Sequence, residues 1–305
     1  MLLREETAEA LRTIVTTPWL IGALFAFGMV GVAFEALRLT LLFRSQGIRL
    51  SFAEAFRVVA LGVFFNAVVP GGTGGDVMKL WYLARDREGR RIEVATVLGV
   101  DRFVALFSVL CIVLALVVTD LELFRAHAVV QSIVIAAVLG WSVLLVAALV
   151  ASSPRLIHAR FVRATVEVLP FTDYTTRALE ALHRFRSHGR AVLGALAVSA
   201  LGHATLLTLF VVAGGVLVPE APPTRVCLLA LLGLIVNALP ITPGGIGVGE
   251  AAFDELFRTA GYPTGSPLIL AWRASTIPVF VLGGLLYATG VRRLPVPTAQ
   301  PSDPS

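Results

Sequence analysis

Long apolar runs alternate with short polar connections along the whole chain. The runs at 19–43, 92–119, 129–150, 191–218 and 268–287 are each long enough to cross the roughly 30 Å hydrocarbon core of a bilayer as a helix. Two others, 58–69 and 226–239, fall short of the roughly 20 residues a perpendicular span needs. Both short runs end in the same way. The first passes Asn66 and enters Pro70, Gly71, Gly72, Thr73, Gly74, Gly75 and Asp76; the second passes Asn237 and enters Pro243, Gly244, Gly245, Ile246, Gly247, Val248, Gly249 and Glu250. Proline removes a backbone donor and glycine admits left-handed backbone, so each apolar helix breaks there and a more polar helix, 76–84 or 249–260, follows. In hydrocarbon such a break is tolerated only where it packs in protein or lines a wet cavity.

These elements predict an all-α polytopic integral membrane protein with two broken, re-entrant helical hairpins. If both hairpins re-enter, the arginine-rich connections 44–57, 85–91, 152–190 and 292–293 fall on one side, the cytoplasmic side by the positive-inside rule. The first hairpin then enters from the cytoplasm and the second from outside, which is an inverted repeat. A competing arrangement, in which broken segments cross fully to give up to eight spans, stays open. Residues 1–17 carry mixed charge and suit a short interfacial helix. Leu179, Leu182 and Phe185 recur at helical spacing in the long basic connection, as for a helix lying on the inner leaflet. Pro278 predicts a kink in the last span. The domain organisation read from this pattern is one membrane domain, 1–292, and a disordered Pro-rich tail, 293–305.

Composition narrows the class. With 57% hydrophobic and 15% charged residues and a mean hydropathy of +0.85, the chain is far from a soluble domain, whose charged fraction is about 25%. The runs are long and unbroken, unlike the alternating segments of about ten residues in a β-barrel. The net charge of +5 sits in loops and at helix ends, so membrane orientation accounts for it and nucleic acid is not an expected partner. The stretch from Trp19 lacks a small-residue cleavage site and runs on through Glu35, so it reads as a retained helix rather than a signal peptide. Cys111 and Cys227 offer neither a metal spacing nor a disulfide framework and read as small buried hydrophobes.

Candidate chemistry clusters at the breaks. A Gly-rich turn opening a helix presents unpaired N–H groups and a positive dipole end, which favour an anion. Lys79, the single lysine of the chain, lies one turn into the first such helix and adds a point charge suited to phosphate. Asp76 and Glu250 either cap their helices or exchange with a bound headgroup. Arg102 and Arg273 stand in apolar helices where an unpaired charge is expensive; they either hold a phosphate or pair with Asp76, Asp101 or Glu250. Asp101 and Arg102 are adjacent and so must take different partners. Glu35 and Arg38 share a helical face: either both point into the bundle, or Arg38 snorkels. His203 reads as interhelical glue or as part of a site. The candidate cavity residues are therefore Asn66, Asp76, Lys79, Asp101, Arg102, Asn237, Glu250 and Arg273. No Gly-Lys-Ser/Thr loop, zinc helix or nucleophile elbow occurs, and no metal or cofactor is expected.

The stretch Asn66 to Asp76 followed by Lys79, the triplet Asp101, Arg102 and Phe103, and the stretch Leu239 to Glu250 resemble the signature stretches of the lysylphosphatidylglycerol synthase transmembrane (flippase-like) family. Their order and the intervening helices agree, so the resemblance covers roughly residues 15 to 292. It implies a cell-membrane protein that translocates or handles phospholipids or lipid-linked intermediates. Family members with synthase activity carry a soluble aminoacyl-transferase domain after the membrane part; that activity is not expected of a chain ending in a short tail. Two further classes stay open. One is a membrane transferase on a polyprenyl phosphate or lipid-linked sugar, with Asp76 and Glu250 as acid or base or as ligands of a divalent ion. The other is a non-catalytic scaffold that partners an enzyme of envelope synthesis.

Overall fold

The computed structural model describes residues 12–69, 74–85, 87, 89–152, 188–239 and 241–289. The tip residues Pro70, Gly71 and Gly72, most of the N-terminal segment, the basic connection with Leu179, Leu182 and Phe185, and the tail lie outside them. All regular structure among the described residues is helical.

The long apolar runs become α1 (Pro18–Ser45), α4 (Arg91–Thr119), α7 (Gly189–Leu217) and α10 (Ser266–Ala288), each long and apolar enough to cross a membrane. A further apolar helix, α6 (Ala128–Ser152), follows the short α5 (Leu121–Ala126). The protein is a multi-pass α-helical membrane protein. Local chemistry sets the ends. Pro18 opens α1, where its missing N–H costs nothing. The Asp120 carboxylate caps α5 by accepting the Leu123 N–H at 3.1 Å. The last helix continues through Pro278 without interruption. Cys227 is buried, but Cys111 is exposed on α4, so only the former is a core residue.

The two short runs become α2 (Phe52–Val68) and α8 (Pro223–Asn237), and each is followed by a polar helix, α3 (Gly74–Arg85) or α9 (Val248–Thr259). Ser51 caps α2 through the Glu54 N–H at 3.2 Å. In both pairs the second helix folds back antiparallel onto the first. Gly62 faces Lys79 and Asn66 faces Gly75; in the other pair, Gly233 faces Phe253 and Asn237 faces Gly249. Close approach explains the glycines here: a Cβ on Gly75 would stand 2.3 Å from the Gly62 carbonyl oxygen.

Apolar side chains form two cores, one towards each end of the bundle. Leu39, Leu42 and Phe43 of α1 pack with Val58 of α2, Leu83 of α3 and Val97 of α4. Leu20 and Leu24, at the other end of α1, pack with Val117 of α4, Leu229 of α8 and Phe257 of α9. The open ends of the two pairs therefore lie at opposite ends of the molecule. At the first end Arg87 bridges to Glu54 at 3.0 Å and Arg90 donates to the carbonyls of Gln46 and Gly47. At the other, Arg225 at the start of α8 meets Asp120 at 2.6 Å. The tips meet between them, where the 3-10 turn Pro243–Gly245 packs against α2 beside Ala67. Glycines let the helices cross closely, as small residues do in membrane bundles: a Cβ on Gly28 of α1 would overlap the Ser275 carbonyl of α10.

Candidate functional site

A cavity of about 630 Å³ opens between the first helix pair and α1, α4, α7 and α10, within the usual range for small-ligand sites. Much of its wall is apolar, with Phe27 and Phe34 from α1, Leu80 from α3, Leu98 from α4, Leu206 from α7 and Trp272 from α10. Into it project three acids, Glu35, Asp76 and Asp101, and three bases, Arg38, Lys79 and Arg102.

These six charges are not equivalent. Arg38 and Asp101 are both buried and form a two-pronged pair, Nε donating to Oδ1 at 2.7 Å and Nη2 to Oδ2 at 3.0 Å, with Ser199 of α7 accepting from Nη1 at 3.3 Å. Such a fork satisfies both groups and ties α1 to α4 and α7. Lys79 extends its stem past Gly62, where a Cβ would fall 2.6 Å from Lys79 Cε, and its ammonium donates to Glu35 at 2.5 Å. That bond ties α3 to α1. Arg102 is different. Its guanidinium is 60% exposed and lies 3.9 Å from an Asp76 carboxylate that is itself 47% exposed. Asp76 also lies 3.9 Å from Lys79, so Asp76 links the loose cation to the fixed one.

Asp101 and Arg102 thus take different partners, as their adjacency requires. Of the two alternatives left open for Glu35 and Arg38, the structure takes the inward one: both line the cavity. Ser199, which sequence reasoning passed over, and His203, left open there between interhelical glue and part of a site, both line the cavity, their four-residue spacing putting them on one face of α7. His203 Nδ1 lies 2.8 Å from the Ser199 carbonyl of its own helix. A carbonyl can only accept, so Nδ1 is the donor in this contact.

Asn66, Asn237, Glu250 and Arg273 stand at the tips, outside the cavity wall. Asn66 accepts the Gly75 N–H at 2.8 Å, so it is Asn66 that satisfies a donor at the start of α3. Asp76 is left to pair with cations. At the second tip Glu250 does cap, accepting the Gly247 N–H at 2.7 Å. Gly244, Gly245 and Gly247 there adopt positive φ of 60°, 69° and 85°, the left-handed backbone glycine tolerates best. Arg273 reaches this tip from α10. Its Nη1 donates to the Gly244 carbonyl at 2.9 Å, and Nη2 to the Gly245 carbonyl at 3.1 Å, to Asn237 Oδ1 at 3.3 Å and to Glu250 at 3.3 Å. Its Nε lies 3.2 Å from the other Glu250 oxygen. Of the two alternatives for Arg273, this conformation takes the pairing with Glu250. Among the described residues no group of three or more His, Cys, Asp or Glu side chains is placed to hold a metal ion.

Comparison with known proteins agrees with the helical pattern. The family described as lysylphosphatidylglycerol synthase TM region matches residues 2–284. A UPF0104 membrane protein of Methanothermobacter thermautotrophicus is 23% identical over 269 residues, covering 81% of this chain and 75% of that protein. No solved structure matches the chain.

Proposed function

The chain belongs to the lysylphosphatidylglycerol synthase TM region family, membrane proteins of lipid-related function, and from that premise we propose that it translocates a phospholipid or lipid-linked intermediate across the cell membrane. The headgroup enters the cavity beneath the first helix pair while the acyl chains stay in the bilayer beside it. Arg102 takes a phosphate oxygen, and Asp76 retakes Arg102 when the headgroup leaves. Lys79 supplies a second positive charge at the back of the cavity. Glu35 and the Arg38–Asp101 fork hold that charge and the surrounding helices in register.

The observation that carries this reading is the loose ion pair between Arg102 and Asp76 in a cavity whose other charges are closely paired. A surface-like pair at that distance contributes at most about 1 kcal/mol, so a charge-assisted bond from phosphate to guanidinium outcompetes it. The opposed entry and tip-to-tip contact of the two helix pairs support re-entrant hairpins related as an inverted repeat. In this reading the end bearing Arg44, Arg49, Arg57, Arg85, Arg87, Arg90 and Arg91 faces the cytoplasm, and Asn66, Asn237, Glu250 and Arg273 shape the tips.

The test is lipid redistribution in proteoliposomes carrying a headgroup-labelled anionic phospholipid, read by quenching the outer-leaflet label. Arg102→Ala slows redistribution by about tenfold or more, the equivalent of about 1.4 kcal/mol, with an unchanged unfolding temperature. Wild-type rates in both Arg102→Ala and Asp76→Asn would refute the assignment.

A further inference from the structure

At the second tip four oxygen-bearing groups converge on one guanidinium. They are the carbonyls of Gly244 and Gly245, the amide oxygen of Asn237 and the carboxylate of Glu250, and all are within 3.3 Å of guanidinium nitrogens of Arg273. They come from the end of α8, the 3-10 turn and the start of α9, while the cation comes from α10. Left-handed backbone at Gly244 and Gly245 turns the chain so that both carbonyls meet the same group. A helix C-terminus adds negative dipole potential on the α8 side. Unwound carbonyls beside a half-helix C-terminus and one carboxylate are the chemistry by which interrupted membrane helices hold a monovalent cation.

We propose that the second break is a monovalent-cation cradle permanently filled by the tethered guanidinium of Arg273, so that removing this side chain opens a site for a free guanidinium ion or a small monovalent metal cation. This goes beyond the lipid reading and does not depend on it. The wild-type tip therefore needs no dissolved cation to hold its shape, whatever the cavity beside it carries.

The test is thermal unfolding of purified protein in detergent, which involves no lipid transport. Arg273→Ala unfolds roughly 5–10 °C below wild type, because a partly buried carboxylate has lost its partner. Millimolar guanidinium chloride, far below denaturing concentrations, restores at least half of that loss. Urea restores none, and wild type does not shift. The double variant Arg273→Ala with Glu250→Gln loses the recovery. Absence of a guanidinium-specific recovery, or its survival in the double variant, overturns the proposal. If Arg273→Ala does not yield folded protein, Arg273→Lys decides: its compact ammonium leaves part of the cradle open. The unfolding temperature of Arg273→Lys then rises when sodium replaces a bulky organic cation at constant ionic strength, whereas wild type is indifferent. Indifference of Arg273→Lys, or a sodium response in wild type that Glu250→Gln abolishes, overturns it.

Discussion

The two breaks share a sequence pattern and differ in where their charges point. At the first, Asn66 quiets a backbone donor of α3, while Asp76 and Lys79 project outwards, Lys79 to Glu35 on α1 and Asp76 towards Arg102 on α4. At the second, Glu250 folds back onto Gly247 and Arg273 staples the turn from outside. The first break supplies side chains to a cavity; the second closes on itself. A repeated motif thus lines a cavity at its first copy and braces a turn at its second. The same carboxylate position, Asp76 or Glu250, can be loosely or tightly held according to what the neighbouring helix brings to it.

The strongest test of this division is the anchor the cavity cannot do without. Asp101→Ala leaves the Arg38 guanidinium buried and unpaired and destabilises the protein by about 3–5 kcal/mol, measured by thermal unfolding. A neutral result would show that the cavity wall is as loose as Arg102. Exchanging the two equivalent carboxylates separates the roles directly. Glu250→Gln costs about 2 kcal/mol of stability, since charged hydrogen bonds to Arg273 and Gly247 weaken. Asp76→Asn costs no more than about 1 kcal/mol and shows its effect in lipid redistribution. The same response in both would erase the contrast.

Glycine replacements give a smaller and more local contrast. Gly75→Ala drives a methyl into the Gly62 carbonyl and costs about 1–3 kcal/mol as overpacking. Gly247→Ala meets nothing within 4 Å and costs about 1–2 kcal/mol through its positive φ alone. A suppressor that shifts α2 relieves the first and not the second.

The smallest effect concerns the end at which α8 begins. Burial alone raises the Asp120 carboxyl, but the Arg225 guanidinium and the Leu123 N–H outweigh it and hold its pKa below the ordinary range. A lowered folded pKa means that the contribution is complete above the unfolded value of about 3.9 and is lost as pH falls through the lower folded value. The unfolding temperature therefore declines below about pH 4, and Asp120→Asn flattens that part of the profile.

Among the described residues, the helices, the polar helices after the two breaks and the membrane class were legible in the sequence because they follow from local rules. An apolar run must bond its own backbone in hydrocarbon, and Pro and Gly must interrupt it wherever they cluster. Asp76, Lys79, Asp101 and Arg102 were legible as site candidates for the same reason, being charges in or beside apolar helices. Their partners were not. Arg102 and Arg273 look alike in sequence, each an arginine within an apolar helix, yet one faces a cavity and the other fills a turn. That distinction depends on contacts such as Arg38 to Asp101, 63 residues apart, and Arg273 to Gly244, 29 apart. Hydrogen bonds and close ion pairs need their heavy atoms within about 3–4 Å of each other, so only the packing of distant helices decides which charge is held fast and which is left loosely paired.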